Sequence, residues 1–372
     1  MRIGFDAKRA FFNFSGLGNY SRNIIHYLSY YYPENEYILY VPRRPVDPEL
    51  LVLSGQQLAF PESWISKRLP SIWRSLLLSK RLESDNIDIF HGLSNEIPFG
   101  IHKYKLKSVV TIHDLIFLKY PQWYSRIDRN IYMRKTWYSC RFASRIIAIS
   151  KQTSSDIVRL LKIDPSKIDV IYQGCDPVFY AAASPEKKQE TLTRYNLIPG
   201  YILYVGTIEK RKNLLNVVRA IHHGRIDTPL VIIGRQTPYA SLVKKYIHKH
   251  HLENVTFLEN VPNEDLPSLY QMSSLFIYPS TYEGFGIPIL EALYSRTPVI
   301  TTAGGCFPEA GGDYSIYIDP EKIEQISDSI KKILSDDKLR KKMIDKGYEH
   351  ALKFNDKIIA DNMIRVYNLL IG

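Results

Sequence analysis

Short apolar runs alternate with segments of helical period along nearly the whole chain, and this alternation constrains the fold more than any other feature. Strands are predicted in the first half at residues 2–6, 36–41, 87–90, 108–113, 145–149 and 168–172, and in the second half at residues 201–205, 230–233, 255–258, 275–278, 298–301 and 315–318. Strands separated by helices pair in parallel and are covered on both faces. The pattern therefore predicts the α/β class with parallel sheets.

The alternation breaks between residues 176 and 200, where the stretch AAASPEKKQ shows no core-forming period. We therefore predict an N-terminal Rossmann-like domain at residues 1–180, a linker at 181–200 and a C-terminal Rossmann-like domain at 201–354. A chain of 372 residues is long enough for two hydrophobic cores. Ligands of parallel sheets bind beyond the carboxyl ends of the strands, so a cleft between the domains is the expected site.

One stretch of the second domain, YPSTYEGFGIPILEAL at residues 278–293, combines the features of an anion site. Gly284 and Gly286 follow a predicted strand and let the backbone turn with its N–H groups uncovered. Pro288 suits the first turn of a helix, where its missing donor costs nothing. A phosphate can rest on the amides of such a helix start. Glu283 and Glu291 bracket the loop, although a glutamate there also stabilises the helix dipole without any ligand.

Two other stretches follow predicted strands and carry candidate groups. Arg211 and Lys212 belong to a cluster of cations after the strand that ends at Gly206. Such a cluster either grips a diphosphate or forms a solvated basic loop. Gly16 and Gly18 lie between the first strand and the first helix, where they form either a tight turn or a phosphate contact. The third glycine of a dinucleotide-binding fingerprint is missing there.

His113 ends a predicted strand and faces the expected cleft. A lone histidine at such a position is either a hydrogen-bonded structural residue or a substrate contact. No Asp-x-Asp pair occurs in the chain, and no His, Cys or Glu cluster has the spacing of metal ligands. We therefore expect neither a metal nor a cofactor, with Arg211 and Lys212 supplying the positive charge at a diphosphate.

The pattern from Glu283 to Ala292, EGFGIPILEA, resembles the signature of the family 4 glycosyltransferases, in which seven residues separate two glutamates. The resemblance extends over essentially the whole chain. It implies the GT-B fold, in which two Rossmann-like domains face each other across a cleft and a C-terminal helix, here residues 355–372, crosses back to the N-terminal domain. In this fold residues 1–180 would form the acceptor domain, and residues 201–354 would form the domain that holds the nucleotide-sugar donor. Arg211–Asn213 matches the Arg-Lys-Asn of one branch, whereas many members carry an arginine where Thr207 stands.

The resemblance implies a retaining, metal-independent hexosyltransferase that moves a sugar from a nucleotide diphosphate donor to an acceptor hydroxyl. Glu291 would accept hydrogen bonds from the ribose, Glu283 would orient the sugar, and His113 would contact the sugar from the other domain. Arg211 and Lys212 would join Glu283 and His113 as catalytic residues by stabilising the leaving diphosphate. The donor-binding residues implied by the motif matches are Gly16, Gly18, Gly206, Arg211, Lys212, Gly284, Phe285, Gly286, Ile287 and Glu291.

The composition favours an anionic partner, because the net charge is +11 and the pI is near 9.2. Cations alternate with Trp and Tyr at residues 64–80 and 132–145, which suits an anionic membrane surface but also a core helix with a cationic solvent face. No nucleic-acid-binding module is recognisable, so we expect no nucleic acid partner. We predict a cytoplasmic protein, because the three cysteines fit a reducing compartment and no signal peptide or long apolar segment is recognisable. Any contact with the inner face of the cell membrane is therefore expected to be peripheral.

The expected setting is bacterial polysaccharide or lipopolysaccharide biosynthesis, with a glycan or lipid-linked glycan as acceptor. This expectation rests on the family resemblance and the basic charge. Two alternatives stay open at the level of the sequence. A nucleotide-sugar epimerase of the same architecture would isomerise the donor without needing an acceptor. A non-catalytic peripheral membrane protein that binds glycans would explain the charge but not the paired glutamates.

Overall fold

The computed structural model describes residues 1–13, 16–44 and 56–372. The chain forms two compact units. Unit 1 comprises Met1–Gly174 and Phe354–Gly372, and unit 2 comprises Cys175–Lys353. Each unit has its own parallel sheet and its own hydrophobic core.

Unit 1 contains a seven-stranded sheet with the order β3-β2-β1-β4-β5-β6-β7, in which all neighbours are parallel. Its strands are β1 (Arg2–Asp6), β2 (Glu36–Tyr40), β3 (Gln56–Ala59), β4 (Ile89–Gly92), β5 (Lys107–Ile112), β6 (Arg145–Ala148) and β7 (Ile168–Val170). Its first eight helices are α1 (Lys8–Phe12), α2 (Gly16–Tyr31), α3 (Trp64–Arg68), α4 (Pro70–Ile72), α5 (Leu78–Ser84), α6 (Ile116–Lys119), α7 (Arg126–Phe142) and α8 (Lys151–Leu161). A π-helical segment, Trp73–Leu77, joins α4 to α5.

Unit 2 contains a six-stranded parallel sheet with the order β10-β9-β8-β11-β12-β13. Its strands are β8 (Ile202–Val205), β9 (Leu230–Ile233), β10 (Val255–Leu258), β11 (Leu275–Tyr278), β12 (Val299–Thr302) and β13 (Ile316–Ile318). Its helices are α9 (Pro185–Tyr195), α10 (Leu214–Gly224), α11 (Ala240–Lys249), α12 (Leu266–Gln271), α13 (Ile287–Tyr294), α14 (Phe307–Gly311), α15 (Ile323–Ser335) and α16 (Asp337–Ala351).

The predicted strands match these sheets because their apolar runs are buried on both faces. Every residue of β4, β9, β11 and β12 is buried, as expected for central strands that helices cover on both sides. The strand β3 was not predicted from the sequence. Half of its residues, QQLA, are polar, and it lies at the edge of the sheet beside β2.

The linker predicted at residues 181–200 is wrong. Residues 185–195 form the helix α9, which packs against α12 inside unit 2. Ser184 caps this helix by accepting a hydrogen bond from the Lys187 amide, and Asp265 accepts hydrogen bonds from Arg194 and Tyr195. The sequence showed no apolar period there because polar bonds to a buried aspartate, rather than an apolar face, attach the helix. The structure divides the two units between Gly174 and Cys175.

The last helix, α17 (Asp356–Ile371), belongs to unit 1 and packs against α2, as the family resemblance implied. A buried network of hydrogen bonds anchors it. The Tyr367 hydroxyl lies 2.6 Å from Nδ1 of His91, and Nε2 of His91 lies 2.8 Å from Oγ1 of Thr111. Burial, with a smaller contribution from nearby His113, lowers the pKa of His91 to about 3, so His91 is neutral. His91, to which the sequence assigned no role, is therefore structural.

Candidate active site

Glu283 lies in the loop that follows β11, at the carboxyl edge of the sheet of unit 2, and four side chains hold its carboxylate. Its Oε1 atom accepts hydrogen bonds from the Tyr278 hydroxyl at 2.9 Å and the Ser280 hydroxyl at 2.8 Å. Its Oε2 atom lies 2.6 Å from Nη1 of Arg211, and Nζ of Lys212 lies 3.5 Å from Oε1. Burial by itself would raise the pKa of Glu283, but Lys212 and Arg211 outweigh it and lower the pKa to about 2. Glu283 is therefore ionised at neutral pH.

Arg211 and Lys212 reach Glu283 from the turn after β8. The Arg211 guanidinium also donates to the Tyr282 carbonyl at 2.6 Å, and it pairs with Glu209 at 2.6 Å. The Lys212 ammonium donates to the Tyr278 hydroxyl at 2.8 Å and lies over the face of that ring. The side chain of Arg211 is thus bound on three sides, whereas Lys212 makes one short hydrogen bond.

Gly206 makes room for Lys212. Its φ of +148° lies in a region that residues with side chains rarely adopt, and a Cβ atom at this position would come within 3.1 Å of the lysine side chain. The glycine at the end of β8 thus lets Lys212 lie close to the backbone.

The Gly-rich loop ends in the helix α13. Gly286 is the N-cap with a φ of +110°, and Ile287 and Pro288 form the first helical positions. The Phe285 side chain is buried and fixes the loop that begins at Gly284. Pro288 has no N–H and the Ile289 amide donates to the Gly286 carbonyl at 2.9 Å, so the amides of Gly286 and Ile287 are the donors that can meet an anion at the start of α13.

Glu291 lies in the second turn of α13, and its Oε2 atom accepts a hydrogen bond from the Tyr270 hydroxyl at 2.9 Å. Burial raises the pKa of Glu291 to about 7, with a smaller contribution from Asp176. The two glutamates of the motif therefore have opposite environments. Glu283 is surrounded by cations and stays charged, whereas Glu291 sits at the margin of ionisation near neutral pH.

His113 lies in unit 1 directly after β5 and is buried. Its Nε2 atom donates to the Leu93 carbonyl at 2.8 Å, its amide donates to the Asn95 side chain at 2.8 Å, and its ring meets the edge of Tyr20. Burial lowers the pKa of His113 to about 4. His113 is thus a neutral imidazole with its proton on Nε2 and its lone pair on Nδ1.

Gly16 and Gly18 both lie in the first turn of α2 in unit 1. A Cβ atom on Gly18 would come within 1.6 Å of the carbonyl oxygen of Asn13, so this position requires glycine for close backbone packing. Among the residues that the structure describes, no atom lies within 4 Å of the Cβ position of Gly16. Ser15, which belongs to the same motif, lies outside the described residues.

The structure thus brings the predicted residues of unit 2 into two groups. Glu283, Arg211 and Lys212 form one contact network beside Gly206, and Glu291 lies further along the helix that starts at the loop. His113, Gly16 and Gly18 belong to unit 1.

The residues that hold the two glutamates were not predicted from the sequence. Tyr278 and Ser280 lie in the motif stretch itself, but their bonds to Glu283 depend on the turn of the loop. Tyr270 comes from α12 and reaches Glu291 across 21 residues of sequence. Glu209, which pairs with Arg211, was missed as well, although its opposite charge two residues before Arg211 was a signal in the sequence.

In the described parts of the chain, no group of three or more His, Cys, Asp or Glu side chains could hold a metal ion. Over the same residues, every helix is too short or too polar to cross a membrane.

Comparisons with known proteins assign the chain to a family. Residues 14–179 match the model of Glycosyltransferase Family 4, and residues 187–350 match the model of the Glycosyl transferases group 1. The O-antigen chain mannosyltransferase B of Escherichia coli is 32% identical over 289 residues, which cover 76% of this chain and 74% of that protein. The O-antigen chain mannosyltransferase RfbU of Salmonella typhimurium is 28% identical over 225 residues, and the match spans only 60% of either chain.

A solved structure confirms the predicted GT-B fold class. The HepE protein of Anabaena in complex with UDP superposes with a TM-score of 0.77 at 16% identity, over 99% of this chain and all of the other. Three findings agree. The chain has two parallel α/β units, its last helix packs on the first unit, and the two family models together match both units. The chain belongs to the family 4 glycosyltransferases and is, as its sequence predicted, a glycosyltransferase.

Proposed function

We propose that this enzyme is a retaining hexosyltransferase that moves a sugar from a nucleotide diphosphate sugar to an acceptor hydroxyl, without a metal or a cofactor. The observation that carries the proposal is the network in which Arg211, Lys212 and two hydroxyls hold the Glu283 carboxylate in front of the helix α13. A fixed negative charge beside two cations and a helix start suits a sugar that gains positive character while a diphosphate leaves.

We assign the larger share of diphosphate binding to Lys212. Arg211 already directs three of its five N–H donors at Glu283, Glu209 and the Tyr282 carbonyl, each at 2.6 Å, so its charge is paired with two carboxylates. Lys212 has three ammonium donors and one short hydrogen bond, to Tyr278. Arg211 then keeps Glu283 in place, and Lys212 and the first amides of α13 stabilise the leaving diphosphate. One donor of this kind typically contributes about 3 kcal/mol to a transition state.

Glu291 would bind the ribose of the donor. A carboxylate accepts hydrogen bonds from two neighbouring hydroxyls, and an ionised acceptor makes stronger bonds than a neutral one. Because the pKa of Glu291 is raised to about 7, part of the free protein carries this proton at neutral pH, and a ribose that binds the ionised form would favour its loss.

His113 would contact the transferred sugar from unit 1. Its Nε2 proton is committed to the Leu93 carbonyl. The lone pair on Nδ1 is therefore the part of the ring that would accept a hydrogen bond from a sugar hydroxyl. Because its pKa is lowered to about 4, the histidine keeps that lone pair over the whole neutral range.

For the transferred sugar we propose mannose, because several relatives of this chain are named mannosyltransferases. The setting expected from the sequence, bacterial polysaccharide or lipopolysaccharide synthesis, agrees with those names. The acceptor would be a glycan or a lipid-linked glycan. The UDP in the HepE structure supports a nucleotide donor for the fold without naming the base used here.

We also propose that unit 1 touches an anionic membrane surface from the cytoplasmic side. The segment from α3 to α5 exposes several large apolar side chains, among them Trp64, which is 68% exposed, and Leu76. The helix α7 exposes Ile127, which is 73% exposed, and Trp137. Because these apolar side chains are exposed between cations, they favour contact with a membrane surface over the alternative of a core helix with a cationic solvent face.

A screen of nucleotide diphosphate sugars tests the function. A donor that binds the folded protein raises its melting temperature by mass action, so one sugar nucleotide should stand out among those with uridine, guanosine, adenosine and thymidine bases. The selected donor is then incubated with and without glycan acceptors. Transfer that requires the acceptor supports the proposal, whereas isomerisation of the donor without an acceptor would identify an epimerase.

A further inference from the structure

The strand β11 ends in a tyrosine at the carboxyl edge of the sheet of unit 2. Its sequence is LFIY, so the hydroxyl of Tyr278 is the one polar side-chain atom of this strand. The tyrosine is buried, with its ring stacked on Phe276 at 5.8 Å between centroids and edge to face with Phe307 at 6.4 Å. Close packing holds a buried side chain in one rotamer, so these contacts fix the position of the hydroxyl.

The Tyr278 hydroxyl hydrogen-bonds to two charged groups of the proposed site. It lies 2.8 Å from Nζ of Lys212 and 2.9 Å from Oε1 of Glu283. An ammonium only donates and an ionised carboxylate only accepts, so the hydroxyl accepts from Lys212 and donates to Glu283. Burial, followed by the charge of Glu283, raises the pKa of Tyr278 well above its ordinary value. The hydroxyl therefore keeps the proton that it donates.

The same hydroxyl determines how Lys212 uses its charge. Nζ of Lys212 lies 3.5 Å from Oε1 of Glu283, which is longer than the about 2.7–2.9 Å of a direct hydrogen bond between an ammonium and a carboxylate. The short bond of the ammonium goes to the neutral hydroxyl instead. Without that hydroxyl, the Glu283 carboxylate would be the acceptor nearest to the ammonium, and a movement of less than about 1 Å would form the direct bond.

We propose that Tyr278 is a positioning residue of the transfer reaction, whose hydroxyl prevents the Lys212 ammonium from closing onto the Glu283 carboxylate. The proposal rests on the proposed function, in which Lys212 binds the leaving diphosphate and Glu283 faces the sugar. A direct pair would turn the ammonium away from the diphosphate and partly neutralise the carboxylate. A hydroxyl that bonds to both groups lets each charge act on its own part of the donor.

The variant Tyr278→Phe removes the hydroxyl and keeps the ring. The Lys212 ammonium lies 4.9 Å from the ring centroid, and phenylalanine preserves this cation–π contact. Crystal structures of the wild type and Tyr278→Phe without ligand then measure the distance between Nζ of Lys212 and Oε1 of Glu283. We expect it to fall from 3.5 Å to about 2.8 Å. An ammonium that stays in place or turns away from Glu283 overturns the proposal.

Two control variants remove other buried hydroxyls. Ser280→Ala removes the second hydroxyl that donates to Oε1 of Glu283, at 2.8 Å, so it loosens the carboxylate without changing the bond between Lys212 and Tyr278. Tyr37→Phe makes the same substitution in β2 of unit 1, where the hydroxyl donates to the Leu28 carbonyl at 2.9 Å. The first control tests for an effect that runs through Glu283 alone, and the second for a general loss of stability.

The functional test measures how strongly the site prefers a diphosphate to a monophosphate. UDP, GDP, ADP and dTDP and the matching monophosphates are titrated by calorimetry, and the base that binds is used for the variants. The dissociation constant of the monophosphate divided by that of the diphosphate should fall at least tenfold in Tyr278→Phe, because a charged donor is drawn away from the second phosphate. It should not change in Ser280→Ala or Tyr37→Phe. An unchanged ratio in Tyr278→Phe, or an equal fall in Ser280→Ala, overturns the proposal.

A double-mutant cycle shows whether Tyr278 acts through Lys212. In the background of Lys212→Gln, Tyr278→Phe should change the same ratio by less than about twofold, because the ammonium that the hydroxyl positions is already absent. A further tenfold fall in that background would mean that Tyr278 acts on the diphosphate by another route, and it overturns the proposal.

These measurements separate the role of Tyr278 from the proposed function. If the wild-type chain transfers sugar and Tyr278→Phe leaves the diphosphate preference unchanged, the role of Tyr278 fails and the function stands. If the wild-type chain transfers no sugar from any donor, the proposed function fails. The two crystal structures then still decide whether the hydroxyl keeps Lys212 from Glu283.

Discussion

The carboxylate of Glu283 and the guanidinium of Arg211 form an ion pair, with 2.6 Å between Oε2 and Nη1 and side chains that are only 13% and 18% exposed. An ion pair with so little water around it keeps its geometry, because any movement would leave a charge without a partner. Arg211 also bonds to the Tyr282 carbonyl, so the pair ties the cation turn after β8 to the motif loop after β11. The position of the proposed catalytic carboxylate thus depends on a residue far away in sequence.

Arg211→Gln should therefore destabilise the folded protein and also lower the rate of the transfer reaction. Removing one partner of a buried pair leaves a buried charge and typically costs about 3–5 kcal/mol, and the lower end applies here because Lys212 stays close to Glu283. Urea unfolding of the wild type and the variant measures the change. Lys346→Gln, which breaks an exposed pair with Glu349, is the control and should leave the free energy of unfolding almost unchanged. A loss of similar size in both variants would contradict this prediction.

The two glutamates of the motif should affect different constants. Glu291→Gln should mainly weaken binding of the donor and the free nucleotide diphosphate, since its partner is the ribose. Glu283→Gln should mainly lower kcat, since its charge matters most when the sugar becomes positive. Either effect should be at least tenfold, from the loss of a hydrogen bond to a charged group. Calorimetric nucleotide affinity is compared with steady-state turnover, with Glu349→Gln as a surface control. Loss of nucleotide binding in the Glu283 variant alone would reverse the roles.

Nucleotide affinity should rise with pH between about 5 and 7. The pKa of Glu291 is raised to about 7 from its ordinary value of 4.5, and the ribose hydroxyls donate to the ionised form. Binding is therefore weakest where Glu291 keeps its proton. Calorimetry from pH 5 to pH 8 should show the rise in the wild type and a flatter profile in Glu291→Gln. Equal slopes in the two proteins would rule out Glu291 as the titrating group.

The same raised pKa has a consequence for the stability of the free protein. The contribution of the protonated Glu291 carboxyl to stability is fully present below about pH 4.5 and is lost as the pH rises through 7. Other groups titrate over this range, so the informative quantity is the difference in free energy of unfolding between wild type and Glu291→Gln. We expect this difference to move against the wild type by up to about 3 kcal/mol between pH 4.5 and pH 7.5. A difference that does not vary with pH would contradict the prediction.

Turnover should survive an excess of chelator. The proposed mechanism places Lys212 and the first amides of α13 at the diphosphate, where other enzymes place a divalent ion. Activity is measured with the selected donor before and after dialysis against EDTA, and again after addition of magnesium or manganese. Activity that EDTA abolishes and either metal restores would disprove the metal-free mechanism.

The protein should bind vesicles that contain anionic lipid and should release them as salt rises, because electrostatic reach falls to about 8 Å at physiological ionic strength. The double variant Trp64→Ser, Leu76→Ser should bind less, since both side chains are exposed in the α3 to α5 segment. Ile198→Ser changes an exposed side chain of unit 2 and is the matched control. Sedimentation with neutral vesicles to the same extent, or unchanged binding of the double variant, would show that this surface does not contact a membrane.

The sequence by itself determined the two parallel α/β units, because central strands must be apolar on both faces and that requirement is visible as runs such as Leu275–Tyr278. It also located the loop of α13, since glycines and a proline restrict the backbone locally. It failed for the edge strand β3 and the helix α9. Neither carries an apolar period, because one pairs only at the sheet edge and the other is held by bonds to Asp265.

Only the tertiary structure decided what each site residue can do. From the sequence, Arg211 and Lys212 had the same expected role, but the fold pairs Arg211 with Glu283 and Glu209 and gives Lys212 one short hydrogen bond, to Tyr278. It placed two glutamates of one motif at pKa values of about 2 and about 7. Such differences arise from burial and from the distances between each glutamate and charges on other segments. Tertiary packing sets both, and a local pattern of residues does not predict it.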